Sequence, residues 1–106
     1  MTRIVFRLNY HTVEGQRLWV RIIIGADGNE FVQTLPLRWI NDRQWQTEWE
    51  LGKGTGIRYQ YVLRQDWNGV ELTEWGKPRV LETGFPAHVL LDTWRSAGRV
   101  DSAYET

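Results

Sequence analysis

The alternation of apolar and polar positions along this 106-residue chain is strand-like almost throughout. Between residues 3 and 10, Ile4, Phe6, Leu8 and Tyr10 alternate with Arg3, Val5, Arg7 and Asn9, the two-residue period of a strand with one buried face. Residues 11–16, carrying Gly15, read as its connection. Between residues 17 and 25, Leu18, Val20, Ile22 and Ile24 alternate with Trp19, Arg21 and Ile23, and the β-branched content predicts a strand deep in a sheet. Asp27-Gly28-Asn29 ends it. Residues 32–38 predict a short strand at an edge or bulge, because Pro36 cannot donate to a ladder. Residues 39–43 read as loop. Residues 45–51 set Trp45, Thr47, Trp49 and Leu51 against Gln46, Glu48 and Glu50, a strand with one apolar and one acidic face.

The stretch from 57 to 79 organises the rest. Ile57, Tyr59, Tyr61 and Leu63 share one face, and Arg58, Gln60, Val62 and Arg64 the other. Asn68-Gly69 predicts a tight hairpin turn, since both residues tolerate positive φ. The return strand, 70–74, runs into Trp75-Gly76-Lys77-Pro78, which cannot continue a ladder comfortably and leaves an indole facing water. A short segment at 79–82, a turn at 83–86 and a last strand at 88–93 follow. No helical period and no internal repeat occur, and strands recur about every ten residues between turn signals. The expected fold is all-β: an antiparallel β-sandwich, immunoglobulin-like with an open-sided, distorted-barrel character, of about seven to eight strands. Residues 1–95 form the expected domain, and the small, polar, aperiodic residues 96–106 an expected linker toward further domains.

Composition narrows the function classes. One domain of this length can bury a real core without staples. The absence of cysteine removes disulfides, thiol nucleophiles and zinc–thiolate sites, and fits a reducing compartment. Thirteen Lys and Arg balance thirteen Asp and Glu, so no global field favours polyphosphate and nucleic acid is not an expected partner. The opening residues alternate charge with apolar side chains, unlike a signal peptide, and the longest apolar block, 22–26, is too short to cross a bilayer.

Catalytic and metal constellations are weak. Glu48 and Glu50 lie two apart on one strand face, as a glycosidase acid and nucleophile could, but alternating acids opposite apolar residues also describe a solvated strand face. There is no nucleophile elbow, and Gly52-Lys53-Gly54-Thr55-Gly56 lacks the Lys-Ser/Thr ending of a phosphate loop. Asp27-Gly28-Asn29-Glu30 lacks the remaining ligands of a calcium loop. His11 and His88 have no second ligand nearby in sequence. No metal and no cofactor is expected.

Seven tryptophans exceed what a core of this size needs. Trp19, Trp45 and Trp49 fall within strands, while Trp39, Trp67 and Trp75 fall at loops or turns. An indole offers a flat apolar face to the C–H face of a glucose ring, whose hydroxyls then need donors and acceptors at the rim. Exposed rings beside Gln, Asn, Lys or Arg suit a glucan, each stacked sugar contributing about 1–3 kcal/mol.

The chain resembles the starch-binding domain, carbohydrate-binding module family 20, from about Ile4 to Trp94. The resemblance rests on Phe6, on Thr12 with Gly15-Gln16, on residues 20–25, on the strand-opening Trp45, on Tyr59-Gln60-Tyr61 in place of the family's Tyr-Lys-Tyr, and on Glu74-Trp75 with Pro78-Arg79 in place of its Glu-Trp followed by Asn-Arg. It implies a sandwich whose first site uses two Trp and a Lys. Trp75 falls on the second Trp, and Gln60, whose amide can bond a hydroxyl, on the Lys. The segment that supplies the family's first Trp has no Trp here, which leaves Phe31 or Trp67 as substitutes. The family's second site draws on a Tyr, replaced here by Glu14, and on aromatics around the strand-opening Trp; Trp39 is the matching candidate platform and Trp45 a mixed core and site residue.

With its terminal Asp92-Thr93-Trp94-Arg95-Ser96, the chain also resembles the amino-terminal module of long 4-α-glucanotransferases. That resemblance implies a cytoplasmic parent protein with a covalently linked catalytic domain, acting in starch, glycogen or maltose metabolism. The expectation is a non-catalytic module that binds starch, glycogen or maltooligosaccharides, stacking α-1,4-glucan on Trp75 and Trp39 with Gln60 and Lys77 at the rim. The rival expectation is a sandwich that docks on its own protein or a partner, with exposed Trp as anchors.

Overall fold

A computed structural model describes residues 2–25, 28–51, 56–82 and 85–95. They form nine strands and no helix: β1 (Thr2–Asn9), β2 (Gln16–Ile24), β3 (Phe31–Pro36), β4 (Arg38–Asn41), β5 (Gln44–Leu51), β6 (Ile57–Gln65), β7 (Glu71–Thr73), β8 (Arg79–Leu81) and β9 (Ala87–Thr93). One sheet has the order β4-β5-β1-β9; the other is β3-β2-β6-β7, with β8 also pairing β6. The two sheets face each other across a core drawn from the predicted inward sets, among them Ile4, Phe6, Leu8, Val20, Ile22 and Tyr61. Burying each such side chain contributes about 1.5–3 kcal/mol.

Interior positions behave as their patterns predict. β2 lies between β3 and β6, and β3, with Pro36 at its end, is an edge strand. The hairpin from β6 to β7 turns at residues 66–69 with Gly69 at φ +70°. Its return strand is shorter than predicted, since only Glu71, Leu72 and Thr73 pair with β6.

The expected all-β sandwich is present; one expectation is corrected and two details of the sandwich are sharpened. Residues 39–43 are not simply loop: Arg38–Asn41 is β4, paired with β5. Every β4 residue is exposed, so its sequence carries no apolar face to read. The sheets are antiparallel except for one pair, because β9 runs parallel to β1 from Arg3↔Ala87 to Asn9↔Thr93. Nine strands replace the expected seven to eight. Of the glycine-rich stretch 52–56, all but Gly56 lies outside the described residues. So do the Asp27 part of the 27–29 turn, the 83–84 part of the 83–86 turn and the expected linker, 96–106. Among the described residues no helix is long and apolar enough to cross a membrane.

Each long edge of the sandwich is tied differently. On one side the chain passes from β3 to β4 through Leu37, whose N–H donates to the Leu18 carbonyl at 2.9 Å. On the other, β9 is joined to β6 and β8 by polar side chains between the sheets. That second edge carries the Trp75 loop.

Candidate functional site

Strands β7 and β8 share one edge of β6, Thr73 opposite Val62 and Arg79 opposite Tyr59. Between them, residues 74–78 leave the ladder beside Gln60. Glu74 turns inward: its N–H donates to the Tyr61 carbonyl at 3.0 Å and its carboxylate accepts the Tyr61 N–H at 3.1 Å. Strand alternation then carries Trp75 to the outer side, where the residue is 58 % exposed. Its N–H donates to the Arg95 carbonyl at 2.9 Å. Arg95 also donates from its backbone to Glu74 at 3.3 Å and from its guanidinium to the Lys77 carbonyl at 2.8 Å. A large exposed ring is thus carried on a short loop whose backbone is held at both ends.

The brace under this loop is ionic and almost dry. Arg79 meets Glu74 through two bonds, Nε to Oε2 at 3.1 Å and Nη2 to Oε1 at 2.8 Å, and the Glu74 side chain is only 2 % exposed. Arg79 also donates to the Thr93 carbonyl at 2.7 Å and reaches Asp92 at 3.4 Å. Burial alone would lower the Arg79 guanidinium, but the bond to Glu74 and the charges of Glu74 and Asp92 raise it. Asp92 in turn accepts the hydroxyls of Tyr59 at 2.9 Å and Tyr61 at 2.7 Å.

Burial, then the charge of Asp92 and its acceptance of their protons, push both phenols far above the ordinary tyrosine value of 10.0. Because the folded values lie above the unfolded one, this contribution to stability is full below about pH 10 and is lost as pH rises through the folded values. In an alkaline titration followed by phenolate absorbance and far-ultraviolet circular dichroism, two of the four tyrosines should ionise only as the protein unfolds. Ionisation of all tyrosines in a folded sample would contradict the network.

The other predicted residues separate in space. Gln60 is half-buried on the outer face of β6, beside the Trp75 loop and in register with Arg21 of β2. Lys77 is exposed on the loop itself. Trp39 is 57 % exposed on β4, opposite Trp45. It therefore stands at the sandwich edge opposite to Trp75, and the two rings cannot hold one sugar between them. Trp45 is 8 % exposed and belongs to the core, leaving little ring surface for a ligand.

Neither expected substitute for the missing first Trp stands beside Trp75. Phe31 is two strands away from β6, at the start of β3. Trp67 lies beyond the end of β6 at Gln65, which is itself about 17 Å along the strand from Gln60 at about 3.3 Å per residue. It is exposed, and the Cε3–Cζ3 edge of its ring lies against Gly15.

That contact fixes Gly15. Its φ is +91°, and a Cβ there would lie 2.8 Å from Cε3 of Trp67. Gly15→Ala should therefore cost about 1–3 kcal/mol, measured as a lower denaturation midpoint, and should move the Trp67 ring.

Two residues beside Gln60 were not singled out from the sequence. Trp19 and Arg21 share the outer face of β2, Arg21 directly opposite Gln60 and Trp19 opposite Val62. Their i, i+2 spacing was visible as the outward half of the β2 alternation. What the alternation does not show is that β2 lies next to Gln60.

Chemistry by acid pairs finds no support in the geometry. Glu48 is ion-paired with Arg3 at 2.8 Å on the outer face of the first sheet. Among the described residues no cluster of three or more His, Cys, Asp or Glu is placed to hold a metal ion.

The sequence matches no protein-family model and no curated protein. Solved structures do match. A glycoside hydrolase family 15 glucoamylase from Hypocrea jecorina aligns at a TM-score of 0.70 with 20 % identity, over 90 % of this chain and 17 % of its own. The Hormoconis resinae glucoamylase aligns at 0.67 with 25 % identity, over 99 % of this chain and 19 % of its own. A γ-CGTase from alkalophilic Bacillus clarkii aligns at 0.57 with 17 % identity, over 89 % and 15 %. These likenesses support the sandwich fold, and this chain spans less than a fifth of each matched protein.

Proposed function

We propose that this domain is a non-catalytic module that binds α-1,4-glucan, such as starch, glycogen or maltooligosaccharides, with Trp75 as its main stacking platform. The observation that carries the reading is the Trp75 loop: it carries a ring more than half exposed, and its backbone is held by Arg95 and by the Glu74–Arg79 pair, beside Gln60 on β6. A loop backbone held in place before binding loses little freedom when a sugar stacks on the ring it carries. Gln60 and Lys77 supply hydrogen bonds to the sugar hydroxyls. Trp39, on the opposite edge, is a candidate second platform. Support also comes from the structural neighbours, two glucoamylases and a γ-CGTase, in which the part matching this chain is a small fraction of the whole.

The finer reading places the domain at the amino-terminal end of a cytoplasmic 4-α-glucanotransferase, where a linked catalytic domain acts on the chains held here. A few stacked sugars on an open surface give weak binding, about −4 to −6 kcal/mol, or dissociation constants from high micromolar to millimolar. Tethering converts that weak binding into a raised local concentration of substrate without trapping product. Affinity electrophoresis tests the proposal: migration should be retarded in native gels cast with soluble starch or glycogen and unchanged in gels cast with a soluble β-glucan. Equal mobility in all gels would overturn it.

A further inference from the structure

The outer face of the five-stranded sheet carries four arginines on β2 and β6, and three have an acidic neighbour. Arg17 is ion-paired with Asp66 at 3.1 Å, Arg58 with Glu30, and Arg64 lies in register with Glu71. Arg21, at the centre of the face, has no ion-pair or side-chain hydrogen-bond partner among the described residues. It is half-buried and flanked by Trp19 and Ile23 on its own strand, with Gln60 opposite on β6 and Thr34 opposite on β3. A guanidinium has five N–H donors, and here no described residue is hydrogen-bonded to them.

Gln60, Arg21 and Thr34 form one row across three adjacent strands, starting beside the Trp75 loop. At about 4.8 Å per strand the row is roughly 10 Å long, comparable to a short run of linked sugars. Trp19 lies diagonally from Gln60 and forms one wall of the row, and Val32 and Ile23, paired across β2 and β3, border the other side. The row combines donors and acceptors with apolar borders, which is what a hydroxyl-rich ligand with C–H faces requires.

We propose that the glucan does not end at Trp75 but crosses the strands along this row, with Arg21 and Thr34 bonding the hydroxyls of sugars beyond the stacked one. The inference rests on the glucan-binding reading of Trp75. It assigns Arg21 the role of setting chain-length preference, since only a ligand long enough to reach from Trp75 to β2 gains its bonds.

The test measures dissociation constants for maltose, maltotriose and maltoheptaose with the wild type, Arg21→Ala, Arg21→Gln and the same-face control Arg64→Ala, each checked for an unchanged thermal midpoint. Wild type and Arg64→Ala should bind more tightly as the chain lengthens. Both Arg21 variants should bind maltose as the wild type does and maltoheptaose about fivefold or more weakly. Trp75-dependent binding with Arg21 variants indistinguishable from wild type at every length would overturn this inference alone, as would an equal loss for maltose and maltoheptaose. No saturable binding by the wild type would overturn the glucan-binding reading and this inference with it.

Discussion

Trp75→Ala is expected to weaken maltoheptaose binding by about tenfold or more while leaving the thermal midpoint within a few degrees of wild type. The ring is 58 % exposed, so its removal opens no core cavity. The loop keeps its brace, because the bonds to Arg95, Tyr61 and Arg79 use the Trp75 backbone and the Glu74 side chain rather than the indole. What disappears is one flat apolar surface, worth about 1–3 kcal/mol per stacked ring, and with one main platform little remains to hold the sugar. Trp39→Ala is the informative comparison. It stands at the opposite edge, so any loss it causes reports a separate site.

The largest stability effect is expected from Arg79→Ala, a loss of about 3–5 kcal/mol, seen as a fall in midpoint of roughly 10 °C or more. Removing the guanidinium leaves Glu74, with a side chain only 2 % exposed, as an uncompensated buried charge, and strips Asp92 of its cation. Arg79→Lys should recover part of the loss but not all of it, since an ammonium cannot reproduce the paired bonds from Nε and Nη2. An Arg79→Ala variant within 1 kcal/mol of wild type would show that the network contributes little, and would remove the reason for calling the Trp75 loop preorganised.

The inward faces of β1, β2 and β6 are legible in the sequence because each buries one face between the sheets, so every second residue must be apolar. Pro36 likewise announces an edge. β4 is not legible, since all four of its residues are exposed and burial leaves no period in Arg38-Trp39-Ile40-Asn41. The parallel pairing of β9 with β1 joins segments more than eighty residues apart, which no local pattern encodes. Asp92 occupies an inward position of β9, where an apolar residue is the ordinary expectation, and only the assembled sheets show Tyr59, Tyr61 and Arg79 converging on it. For the site, the exposure of Trp75 and its nearness to Gln60 follow from the hairpin pattern. The distances of Phe31 and Trp67 from them depend on strand order and register.

The central claim is that an exposed, braced Trp75 binds α-linked glucose chains. The most direct test is intrinsic tryptophan fluorescence of the wild-type domain titrated in parallel with maltoheptaose and cellohexaose. The account predicts a saturable change with the α-1,4-linked chain in the high-micromolar to millimolar range and none with its β-linked counterpart. No change with either sugar, in a folded sample at millimolar concentration, would contradict it and favour the reading in which the exposed indoles anchor a protein surface.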